Sequence, residues 1–111
     1  MTAKINGSAP DGYAMPAGAR KLLDAAEHAG WGTVYRWGSD FSDDPFVEIL
    51  VGIPATGEKI RGTWHSRDLP PGRMRMTHLH YEPFAGHVGQ WGWTLKRAID
   101  HVLNNTVEES E

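Results

Sequence analysis

The run Arg73 to Tyr81, RMRMTHLHY, sets two arginines beside two imidazoles in one short segment. Two chemistries open from it. Ligands at i and i+2 on a strand face the same way, so His78 and His80 offer half of a zinc site. Guanidinium groups instead recognise anions, through a planar fork of N–H donors. A third metal ligand would have to come from Glu82 or His87, and spacing fixes neither. No Ser or Asp is tied to the histidines in a nucleophile and base arrangement. No metal site, cofactor or catalytic residue is therefore assigned, and a histidine-based metal-dependent hydrolase ranks third among the readings.

Composition narrows the field further. The chain has 111 residues and no cysteine, so it is read as one domain without disulfides, thiolate catalysis, iron–sulfur clusters or zinc fingers. No apolar run reaches signal-peptide or membrane-span length, and a cytoplasmic protein with no membrane partner is expected. The net charge of −3 is unevenly spread. From Lys59 to Tyr81, Lys59, Arg61, Arg67, Arg73 and Arg75 face only Asp68, which makes that segment basic within an acidic chain. Such a distribution disfavours non-specific coating of nucleic acid and favours a defined anionic partner.

The arginines and histidines depend on strands to gather them. Residues 58–66 (EKIRGTWHS) alternate, with Ile60 and Trp64 on one face and Lys59, Arg61, Thr63 and His65 on the other. If Met74 and Met76 of the next strand also point inward, Arg73 and Arg75 point outward. Parity then breaks, because Leu79 and Tyr81 are apolar at odd positions. A β-bulge near Thr77 restores it by adding one unpaired residue, and turns His78 and His80 to the face of Lys59 and Arg61. On this register His65 falls roughly 13 Å from His78, too far to share an ion.

The remaining elements follow from periodicity. Residues 1–16 carry Gly and Pro interruptions and read as a flexible arm. Ala19, Leu22, Leu23, Ala26 and Ala29 form a helical stripe stopped by Gly30. Strands are expected at 33–38, 46–53, 58–66 and 73–81, and a last helix runs from about Thr94 to Leu103. Residues 17–104 thus form one domain, and residues 105–111 an acidic, frayed tail. The fold class is α+β: a four-stranded antiparallel sheet with two helices packed on one face, in the order α-β-β-β-β-α. The first strand, TVYRWG, offers an edge for a homodimer if it lies at the sheet margin; otherwise a monomer is expected.

Two further features touch the basic face. Lys96 and Arg97 fall in the first turn of the last helix, where the dipole disfavours positive charge unless an anion binds there or Lys96 pairs with Asp100. Of the five tryptophans, Trp91 and Trp93 lie in a Gly-rich loop, and one of them is a candidate contact residue.

The segments GARKLLDAAEHAGW, TWHSR and LKRAI together resemble small uncharacterised proteins of actinobacteria and their phages, a resemblance that implies an accessory role. The helix–sheet–helix order is similar in topology to double-stranded RNA-binding domains, whose last helix opens with a lysine cluster; Lys96 and Arg97 stand in the comparable place. The resulting expectation is a non-enzymatic binding module whose contact residues are Lys59, Arg61, His65, Arg73, Arg75, His78, His80, Trp91, Trp93, Lys96 and Arg97. An acidic protein surface is the first partner class, and nucleic acid is the alternative.

Overall fold

A computed structural model describes the backbone of residues 4–6 and, in full, residues 9–84 and 89–107. Helix α1 (Ala17–His28) buries Ala19, Leu22, Leu23, Ala25 and Ala26, the stripe that the sequence marks out. Its end is a Schellman motif. The Trp31 N–H donates to the Ala26 carbonyl at 2.8 Å and the Gly30 N–H to the Glu27 carbonyl at 3.2 Å. Gly30 has φ +81°, and a Cβ there would lie 2.3 Å from the Val107 carbonyl oxygen. Backbone conformation and close approach both demand glycine.

Six strands form one sheet in sequence order. The four long ones are β2 (Gly32–Ser39), β3 (Pro45–Ile53), β4 (Glu58–His65) and β5 (Arg75–Glu82), each antiparallel to the next. Short strands flank them: β1 (Lys4–Asn6), parallel to β2, and β6 (Gln90–Trp91), antiparallel to β5. The N-terminal arm therefore contributes a strand to the sheet, which periodicity in three residues could not announce. Because β1 pairs with Val34 to Arg36, the TVYRWG strand is covered along those three residues and is not the outermost strand of the sheet.

Inward residues of the sheet (Trp37, Val47, Ile49, Val51, Ile60, Trp64 and Leu79) join α1 and Ala98 and Val102 of helix α2 (Leu95–Leu103) in one core. Both helices thus lie on one face, and the fold is α+β as the sequence implies. Gly62 sits in this core because a Cβ would meet the Trp64 ring at 2.8 Å and Leu79 at 2.9 Å. The tail is held rather than frayed up to residue 107. The Val107 N–H donates to the Ala29 carbonyl at 2.7 Å, and the buried Trp31 indole donates to the Asn105 carbonyl at 2.9 Å. Among the described residues no helix is long and apolar enough to cross a membrane.

Candidate functional site

The register of β4 on β5 changes between Thr63 and Trp64: Thr63 pairs with His78, but Trp64 pairs with Met76. Thr77 is the extra residue, so the bulge lies where parity placed it. It allows Met76 before it and Leu79 after it both to reach the core, and turns His78 and His80 to the outer face.

That face is a grid of cross-strand rows. One row runs Leu50, Arg61, His80, Trp91; the next Arg36, Glu48, Thr63, His78; the third Phe46, His65, Arg75. Rows are separated by two residues, roughly 7 Å along a strand. His65 is thus one row from His78, and the larger separation expected from sequence is corrected. The nine-residue connection 66–74 contains two turns of its own, closed by Leu69 N–H to the Ser66 carbonyl and Arg73 N–H to the Pro70 carbonyl. It returns the chain with Arg75 opposite His65, two residues out of the register assumed from parity.

His65 still does not serve as a free ligand. Its Nδ1 accepts the Arg67 backbone N–H at 2.9 Å, so the ring proton sits on Nε2, which donates to Asp40 at 3.1 Å. Arg67 also donates to the same Asp40 oxygen at 3.1 Å. The backbone N–H of Asp44 first, then Arg67 and the Ser42 N–H, hold the Asp40 carboxyl below its ordinary range against the opposing effect of burial. His65 is a neutral clamp between two loops.

Other expected contact residues separate in the same way. Lys59 pairs with Glu82 at 3.2 Å, and Arg36 rather than Arg61 takes Glu48, also at 3.2 Å. No ion pair among the described residues includes Arg61, Arg73 or Arg75, and all three side chains are exposed. Trp93 is 6% exposed and belongs to the core, while Trp91 is 64% exposed and stacks on His80 at 4.2 Å between ring centroids. His78 meets the Trp91 ring edge at 6.0 Å.

Lys96 and Arg97 lie on the helical layer, away from the grid. Thr94 caps α2 by accepting the Arg97 N–H at 3.1 Å, Lys96 donates to Asp100 at 2.6 Å, and Arg97 lies over the Trp93 ring at 4.2 Å. The Asp100 hydrogen bond and charge raise the Lys96 ammonium above its ordinary pKa. These internal partners answer the unfavourable dipole, so the anion grip suggested by the comparison with RNA-binding domains loses its basis.

Two clefts open on the grid, and His78 is their common wall. Glu48, Arg61, Thr63, His78 and Trp91 line one of about 210 Å³; His65, Arg67, Arg75, Thr77 and His78 line the other, of about 230 Å³. Arg67, Thr77 and Asp40 join the site only here. Phe41, fully exposed at the tip of the loop that carries Asp40, was also hidden in an apparently polar turn. No described group of three or more His, Asp and Glu side chains is placed to hold a metal, and His87 lies outside the described residues.

A separate polar cluster occupies the helical side. Glu58 accepts the Tyr81 hydroxyl at 2.6 Å and the His101 Nε2–H at 2.7 Å on one carboxylate oxygen. Burial, then the Glu58 hydrogen bond and charge, push the Tyr81 phenol up to about 12. The Tyr81 ring stacks on Trp93 at 4.3 Å, and Trp93 also meets the His101 edge at 5.4 Å. Tyr81 and His101 meet on one Glu58 oxygen, and Asn105 faces the other His101 nitrogen at 3.5 Å, so the cluster reads as a structural clasp between sheet and α2.

No protein-family model, curated protein or solved structure matches the chain.

Proposed function

We propose that the chain is a small non-enzymatic binding module that presents its outer sheet face to an acidic protein surface. The observation that carries this reading is the pair of exposed arginines, Arg61 and Arg75, that form no ion pair among the described residues and share the outer face with the exposed Trp91, while Arg73 lies in the turn before β5. Arg61 and Arg75 stand two rows apart on adjacent strands, each opposite a histidine, so acidic side chains of a partner can meet them separately. Tryptophan and arginine are also the residues that most often dominate the energy of protein contacts. An accessory role, of the kind implied by the resemblance to phage proteins, fits a module that acts through its partner.

Nucleic acid is the second reading, favoured by the free face of the Trp91 ring beside Arg61, since stacking platforms with arginines bind single strands. A poly-glutamate peptide and an oligodeoxythymidine of equal charge separate the two by titration in rising salt. The protein reading expects tighter binding of the peptide, with at least a tenfold loss in Arg61→Glu and in Trp91→Ala. Tighter binding of the oligonucleotide, with a steep salt slope, would reverse the order. Binding of neither probe by the parent protein sinks both readings.

A further inference from the structure

We propose that the cleft between His65, Arg67, Arg75, Thr77 and His78 seats a phosphate monoester carried on a side chain of the partner protein. The inference rests on the outer face being a protein-contact surface, and names the chemical group that this surface takes.

The donors are arranged for a tetrahedral dianion. Arg75 has no carboxylate among the described residues, so its whole guanidinium is available. Arg67 commits one terminal nitrogen to Asp40 and keeps its remaining N–H donors. His65 is held neutral between the Arg67 N–H and Asp40, and adds no charge. Two arginines against one carboxylate leave the cleft with a formal charge of +1. The Thr77 hydroxyl lies 3.4 Å from the Thr63 carbonyl and 3.0 Å from His78 Nδ1, a pairing that holds the His78 ring against the cleft wall. A phosphate monoester carries about −1.5 to −2 at neutral pH and three acceptor oxygens, which the N–H forks of two guanidinium groups satisfy beside the His78 ring. A carboxylate carries half that charge and is met by one guanidinium.

The neighbouring cleft argues for a protein-borne phosphate. It shares the His78 wall and offers the exposed Trp91 one to two rows away. Side chains at i and i+2 of an extended segment are roughly 7 Å apart, the spacing of adjacent rows. A partner strand can therefore place a phosphorylated side chain in one cleft and an apolar side chain toward Trp91 in the other. Volumes of about 230 and 210 Å³ each hold several times the roughly 30 Å³ of a water molecule.

The test uses the full chain and three short acetylated peptides with the pattern leucine, glycine, X, where X is phosphoserine, glutamate or serine. A 5′-phosphorylated oligodeoxythymidine is the fourth probe. Isothermal titration is expected to show the phosphoserine peptide binding at least tenfold tighter than the glutamate peptide. Arg75→Ala and His78→Asn are each expected to lose at least tenfold for phosphoserine. Equal binding of the phosphoserine and glutamate peptides, both lost in Arg61→Glu, would overturn the phosphate seat while leaving the acidic-surface reading intact. Tight, Arg75-dependent binding of the oligonucleotide with none of the peptides would overturn the protein-borne source. Failure of all four probes overturns the proposal, and the poly-glutamate titration then decides separately whether the surface reading stands.

Discussion

The two faces of this sheet carry similar residue types and use them in opposite ways. On the helical side, Glu58, Tyr81 and His101 close on one another through bonds of 2.6 and 2.7 Å, beneath Trp93. On the outer side, Arg61 and Arg75 form no ion pair among the described residues, and Trp91 stands 64% exposed. A buried polar group without a partner costs about 1–3 kcal/mol, so the inner cluster must be self-satisfied. Solvent relieves the outer groups of that demand, and they stay available to something else. The inner cluster bonds within the protein, whereas the outer donors are left to solvent.

Four measurements sharpen or break this contrast. The largest effect is expected from deleting Thr77, which removes the bulge that separates the faces. Either Met74 and Met76 or Leu79 and Tyr81 must then turn outward, at roughly 3–6 kcal/mol for two large side chains. Chemical denaturation reads the loss, and a deletion variant as stable as the parent would remove the bulge from the account.

Next in size is the asymmetry between faces. Glu58→Ala strands the Tyr81 hydroxyl and the His101 imidazole, and is expected to cost about 2–3 kcal/mol. Arg61→Ala and Arg75→Ala are expected to stay within about 0.5 kcal/mol of the parent. Equal losses on both faces would show that the outer arginines are structural after all.

A smaller effect is expected at high pH. The Tyr81 phenol has its pKa raised from 10.0 to about 12 in the folded chain, so the folded state holds this proton more tightly than the unfolded state. Its stabilising contribution is complete below pH 10 and declines as pH rises from 10 toward 12. Spectrophotometric titration should find one phenol ionising late, and Tyr81→Phe should remove that step. If all the tyrosines ionise together in the ordinary range, the clasp is not formed as described.

The smallest stability change belongs to Trp91→Ala, again within about 0.5 kcal/mol. Its signature is optical. Trp91 is the one tryptophan of five that is open to solvent, so the variant should lose the acrylamide-accessible fraction of fluorescence while the buried fraction remains. Persistence of that fraction would mean that another indole is exposed.

Much of this arrangement was legible in the chain itself. The alternation of Ile60 with Trp64, set against the broken parity from Met74 to Tyr81, located the bulge, because strand periodicity leaves no other way to bury both halves. Local signals also set α1 and its Gly30 stop, and the Thr94 start of α2. Which of Trp91 and Trp93 faces water was undecidable locally, since Gly92 between them has φ +82° and falls outside simple strand alternation. The strand Lys4–Asn6 was invisible because three residues carry no periodicity, and its pairing with β2 is a long-range event.

The sequence by itself determined the fold class, the inward and outward sides of β4 and β5, and the basic character of the segment from Lys59 to Tyr81. Those properties follow from spacing within a few residues. Only the tertiary structure decided which charges are spent. Glu58 finds His101 across 43 positions, and Asp40 finds Arg67 across 27. Strand register and loop closure set such pairings, and a hydrogen bond requires placement to within tenths of an ångström, which no local pattern of residues specifies.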